Sequence, residues 1–235
     1  MSRILKTELY KLRHNKSYWL ILLISIVCFL GLAYLDNTQT NVNEIVASSA
    51  AMVPLFGVVI TIGIAQSDYN DGTLKNVVSS GISRMSIYIG KLITAFIGSL
   101  GVFVVEAVIG IAAAIYHGSS VQIDILFVVR SISLQAFIIL NYTVIYFLIG
   151  NFIRSSALAV TLSFALNLFG TFAFGFVTNY LHVSGLMSYE LGNVAAAVEK
   201  VTIENVTFMH LGALTLVIVG FAILGGYIFS KQEVK

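Results

Sequence analysis

Glu106 is the one acidic residue well inside an apolar stretch, near the middle of the run from Leu92 to Tyr116. An ionised carboxylate at that depth in a bilayer costs ~2.5 to 3.5 kcal/mol or more, so it must face a helix bundle or a wet cavity and can hold a proton. Two roles fit it: a station on a translocation path, or a hydrogen-bonded packing residue or subunit contact. Arg130, in the next apolar run, would lie roughly 10 Å further out from the rise per residue, so that the two long side chains nearly meet. Asn141 and Asn167 sit inside later runs, where amides serve as hydrogen-bond glue between helices or as substrate ligands. Phe169, Phe172, Phe174 and Phe176 would line a greasy path or pack against lipid and core.

Enzymatic constellations are missing from the sequence. Gly90-Lys91 is followed by Leu92, and Met85 occupies the position of the earlier glycine, so no phosphate-cradling loop can form. Any ATP, with its Mg, must be hydrolysed in another chain, and no cofactor is expected in this one. There is no zinc-protease His-Glu pattern and no Gly-x-Ser-x-Gly elbow. His14, His117, His182 and His210 are far apart, and Cys28 is the only cysteine, which excludes an intrachain disulfide and a thiolate metal site.

The elements that position these residues are membrane spans. Of 235 residues, 58% are hydrophobic and 10% are charged, against roughly a quarter charged in soluble domains. The pattern predicts an all-α membrane protein of six transmembrane helices in a single domain. The spans run at about Ser17–Leu35, Ile45–Gln66, Leu92–Tyr116, Leu126–Gly150, Ser156–Thr178 and Thr207–Phe229. Pro54 falls inside the second span, where a kink is expected. The leading segment, residues 1–16, places Ile4, Leu5, Leu9 and Leu12 on one face of a basic helix suited to the lipid interface, with Tyr18 and Trp19 starting an aromatic belt. It does not read as a cleaved signal peptide. Between the fifth and sixth spans, residues 179–206 carry Leu191, Val194, Val198 and Val201 at helical spacing, which predicts an amphipathic helix on the outer surface.

Six spans put both termini on one side. All but Arg130 and Lys200 of the 13 Lys and Arg then fall on that side, while Asp36, Glu44, Asp124, Glu190, Glu199 and Glu204 fall on the other. The positive-inside bias makes the termini cytosolic in a multi-pass plasma-membrane protein. The longest polar interruption on the cytosolic side is the elbow at residues 67–91. Asp71, Gly72 and Thr73 form a turn able to cap a helix, and Leu74, Val77 and Val78 follow as an apolar stripe beside Lys75 and Asn76. Gly81 stops this helix, and a second helical pattern starts near Ser83 with Arg84. A short amphipathic helix on a tight elbow fits docking into a groove of a soluble partner, and equally fits an ordinary helix lying on lipid headgroups.

Taken together, the basic lead with Glu8 and Lys11-Leu12-Arg13, the elbow Asp71-Gly72-Thr73-Leu74-Lys75-Asn76, and Ser80-Gly81-Ile82-Ser83-Arg84 with Gly90-Lys91 resemble a known family. They are similar to the permease subunits of type-2 ATP-binding-cassette exporters, notably small bacterial ones linked to lantibiotic immunity, bacitracin-type resistance and export of amphipathic peptide toxins. The resemblance covers the whole chain. It implies a half-transporter in the bacterial cytoplasmic membrane, working with a second copy or a sister permease and with separate ATPase subunits. It implies further that Thr73 to Ser80 enters the ATPase groove as a coupling helix, with Glu8 and Arg84 seating the lead helix and elbow at the same surface. No nucleic-acid partner is implied. Two other classes remain open: a non-transporting immunity or sensor protein binding a peptide at the outer face, and a gradient-driven transporter or channel.

Overall fold

The computed structural model describes residues 2–35, 49, 52–70, 72–73, 79, 81–116, 125–153, 155–180 and 208–231. Seven long helices account for nearly all of them: α1 (Ser2–His14), α2 (Lys16–Leu35), α3 (Val53–Asn70), α4 (Arg84–Tyr116), α5 (Ile125–Phe152), α6 (Ser156–Tyr180) and α7 (Phe208–Lys231). No strand occurs among the described residues. The chain is all-α there, as its composition predicts.

Three of these helices contain stretches long and apolar enough to cross a bilayer: Arg84–Ala113, Val128–Phe152 and His210–Lys231. The bent pair α1 and α2 makes a fourth if it is taken as one span, and Val53–Tyr69 and Ser156–Gly170 are shorter apolar helices. The described residues thus show three spans, or up to four, where the sequence predicts six. The expected outer helix at 191–201 and the stripe Leu74, Val77 and Val78 lie outside the described residues.

Local chemistry explains where the helices begin and end. Asn15 breaks α1 from α2: its side chain accepts from the Ser17 amide at 2.9 Å, capping α2, and the axes bend by 60°. The α3 end is a Schellman cap. Gly72 adopts φ +64°, its N–H donates to Tyr69 O, and the Thr73 N–H donates to Asp68 O at 3.0 Å. Ser83 caps α4 by accepting from the Ser86 amide at 3.2 Å, after Gly81 at φ +81°. Pro54 falls in the first turn of α3, where its missing N–H breaks no bond of this helix; the residues just before α3, where the expected kink would show, lie partly outside the described ones.

The centre of the bundle is α3. From Val53 to Tyr69 only Gly63 is exposed, because α4, α5, α6 and part of α2 surround it. Its Val58 and Ile62 pack with Tyr146 of α5 and Ala159 of α6, while Ile60, Ile64 and Ala65 join Ala95 and Val102 of α4 and Phe147 of α5. The second helical pattern of the elbow and the third span form one helix, α4, of 33 residues. At ~1.5 Å per residue it is about 50 Å long, well beyond the ~30 Å hydrocarbon core. Its first turns are sheathed by α1. Ile4 meets Gly90 and Leu12 meets Gly98, so α1 and α4 run in the same direction there.

Candidate functional site

Four charged side chains converge where α1, α3 and α4 meet. On α1, Glu8 and Lys11 are one turn apart, which puts them on the same face, and Lys11 Nζ donates to Glu8 Oε1 at 2.8 Å. Lys11 also donates to Asp68 Oδ1 of α3 at 3.0 Å. From α4, Lys91 Nζ lies 3.1 Å from Asp68 Oδ2 and 3.9 Å from Glu8 Oε2. The Lys91 ammonium completes its donors with Ser67 Oγ at 2.7 Å and Ile64 O at 3.0 Å, near the negative end of the α3 dipole. Two acids and two bases leave the cluster formally neutral. Lys91, Asp68 and Glu8 are buried, and Lys11 closes the outer side half-exposed.

The start of the elbow belongs to the same joint. Thr73 Oγ1 donates to Asp68 Oδ1 at 3.1 Å, so the residue that ends the α3 cap is also tied to the cluster. Asp68 stands past the apolar stretch, which ends at Gln66. Burial pushes its pKa up, but the Lys91 charge and the Lys11 hydrogen bond prevail and hold the carboxyl below its usual range. For Lys11, burial works to lower the pKa, and the bonds to Glu8 and Asp68 prevail and raise it. Both groups are held charged.

What such an arrangement can do is mechanical. A buried ion pair is a weak source of net stability, because desolvation offsets most of the attraction, but it fixes geometry: sliding one partner away leaves an unpaired charge in a low dielectric. The joint thus fastens α1, the inner ends of α3 and α4, and the exit of the elbow into one piece.

Residues 4–174 match the family model described as ABC-2 family transporter protein, a span that takes in the entire joint. The chain belongs to the ABC-2 transporter family. Members of this family are membrane permease subunits of ATP-binding-cassette systems, in which hydrolysis falls to a partner ATPase. Among curated proteins, none matches this sequence.

Against that membership, the site residues expected from the sequence separate into groups. Glu8 and Thr73 are in the joint. Arg84 is not. Its Nη1 donates to Ser230 O, one of the last carbonyls of α7, so it ties the start of α4 to the end of the last helix. Asp71, Leu74, Lys75, Val77 and Val78 lie outside the described residues. The sequence reading passed over Asp68 and gave Lys11 and Lys91 no role. The signal was there: an acid ending one span, a base opening the next, and an acid-base pair at i, i+3 on the lead helix.

The residues proposed for a path differ in their surroundings. Glu106 is fully buried, and neither carboxyl oxygen has a hydrogen-bond partner among the described residues. Arg130 is exposed whereas Glu106 is fully buried, and no ion pair joins them. Asn167 donates to Tyr146 Oη at 3.1 Å, and Tyr146 in turn donates to Pro54 O at 3.3 Å, linking α6, α5 and the outer end of α3. Asn141 is buried and donates to Phe137 O of its own helix, and its Oδ1 has no partner among the described residues. Phe172 is 77% exposed on α6 and faces away from the bundle.

Proposed function

We propose that this chain is the permease subunit of an ATP-driven exporter, with the elbow at 67–91 as the coupling segment that docks the ATPase. The observation that carries this reading is the ion joint of Glu8, Lys11, Asp68 and Lys91 with Thr73 attached. An elbow that pushes on spans must leave them through a stiff connection, and this one is anchored at its exit by buried charge. On this reading ATP-driven closure of the partner shifts the elbow, the joint moves as one body, and α3 and α4 rock against the other helices. Six spans with both termini in the cytosol of a bacterial cell, and a second copy or a sister permease, complete the proposed assembly. The substrate we propose is an amphipathic peptide toxin or antimicrobial peptide, which rests on the resemblance to small immunity exporters. Glu106, Asn141, Asn167 and Phe172 are the proposed path residues.

Affinity purification in mild detergent from the native host, with mass spectrometry and an ATPase assay on the eluate, tests this reading. The wild-type chain should bring down a cassette ATPase, and Leu74→Asp, which places a charge in the docking stripe, should lose it. A wild-type chain that brings down no ATPase would sink the permease reading and favour a sequestering membrane protein.

A further inference from the structure

The inner end of α3 carries a second joint, one turn before the cap. Gln66 is 1% exposed and belongs to no charged cluster. Its Nε2 donates to Gly150 O at 2.9 Å and to Ile153 O at 2.5 Å, and its Oε1 accepts from the hydroxyl of Ser156. Two carbonyls against one atom and a hydroxyl against the other fix the amide orientation, since a flip would set oxygen against oxygen. Gly150 is in the last turn of α5 and Ser156 is the first residue of α6, so one side chain holds the α5–α6 turn at both sides. The approach is close enough to need glycine: a Cβ on Gly150 would lie 3.1 Å from Ala65 Cβ.

We infer that Gln66 is a positioning residue that carries movement of the elbow to the α5–α6 turn, an inference that rests on the permease reading above. The argument is one of placement. Asp68 fastens the end of α3 to α1 and α4, and Gln66, two residues earlier, fastens it to α5 and α6. At its other end α3 is tied to α5 through Pro54 O and Tyr146. α3 therefore acts as a strut, and a displacement of the elbow reaches the second half of the bundle through Gln66. Removing the amide leaves α3 packed on α5 through apolar contacts, which can slide, while the directional bonds are gone.

The test uses the full chain in complex with its ATPase, in a Cys28→Ser background. A nitroxide is placed either at Lys6→Cys on α1 or at Phe152→Cys at the end of α5, both exposed sites outside the two joints. Spectra are compared before and after trapping with ATP and orthovanadate, at equal amounts of trapped nucleotide. With Gln66 present, both labels should change mobility. In Gln66→Met the Lys6 label should still respond, and the Phe152 response should fall about tenfold or more, as expected for a coupling carried by three neutral hydrogen bonds. Ser156→Ala removes one bond of the three and should give a smaller loss of about 2- to 5-fold, which decides the matter if Gln66→Met fails to assemble. A Phe152 response undiminished in these variants, or absent in the parent while Lys6 responds, overturns the inference and leaves the permease reading standing. Silence of both labels in the parent overturns both.

Discussion

Replacing Lys91 by Met should damage this protein far more than replacing Lys11 by Met, although both lysines touch the same two carboxylates. The Lys91 side chain is 1% exposed and that of Asp68 is 2%, whereas that of Lys11 is 42%. Removing one partner of a buried pair leaves an uncompensated charge, at a cost of about 3–5 kcal/mol. Lys11 is screened by solvent, and its loss should cost at most about 1 kcal/mol. At ~2–4 °C per kcal/mol for a chain of this size, Lys91→Met should lower the thermal midpoint by roughly 6–20 °C and Lys11→Met by no more than ~4 °C. The midpoint can be followed by size-exclusion of heated, detergent-solubilised protein. The double variant Lys91→Met/Asp68→Asn restores a neutral cluster and should be more stable than the two single losses added together. Additivity within about 0.5 kcal/mol would refute the ion-joint argument, as would equal damage from the two lysines.

Three further outcomes follow from the same geometry. Asp68 has a depressed pKa, so its contribution is present above the ordinary carboxylate pKa of about 4 and is lost as pH falls below that through its folded value; Lys11 has a raised pKa, so its contribution is complete below about 10.5 and is lost as pH rises past its folded value. The midpoint should therefore show no loss from this cluster between about pH 5 and pH 10, and an Asp68→Asn variant should lack the acid-side fall; a fall centred near pH 7 that Asp68→Asn abolishes would contradict the assignment. Gly90→Val should lift α1 from α4, because its Cβ would lie 2.8 Å from Ile4 Cγ2, costing about 1–3 kcal/mol and speeding tryptic cleavage after Arg13 and Lys16; unchanged cleavage would argue against the sheath. Glu106→Met removes a buried carboxyl whose oxygens meet no hydrogen-bond geometry among the described residues and should raise stability by about 1–3 kcal/mol while reducing export. Lower stability with normal export would make Glu106 a packing residue.

Much of the local structure was legible in the sequence because it depends on neighbours in the chain. Gly72 and Gly81 read as turn residues, and both hold positive φ; Ser83 reads as the start of a helix, and it caps α4. The stripe of Ile4, Leu5, Leu9 and Leu12 reads as a face for the lipid interface, yet Ile4 and Leu12 pack against Gly90 and Gly98 of α4. The start of α3 at Val53 was not legible, because the apolar run around Pro54 gives no local sign of it. Arg84 has its seating role at the elbow from the resemblance alone, and no local pattern foretells its bond to a carbonyl of α7, 146 residues away.

By itself the sequence determined the solvent and the class: apolar runs long enough to span lipid in a chain poor in charge. These are sums over local composition, and no packing is needed to fix them. Only the tertiary structure decided which charges meet. Lys11 is joined to Asp68 across 57 residues, Lys91 of α4 meets both Asp68 and Glu8, and Gln66 reaches the α5–α6 turn across more than 80. Such side chains select their partners by helix azimuth and axial offset, which arise when small residues such as Gly90, Gly98 and Gly150 let helices approach.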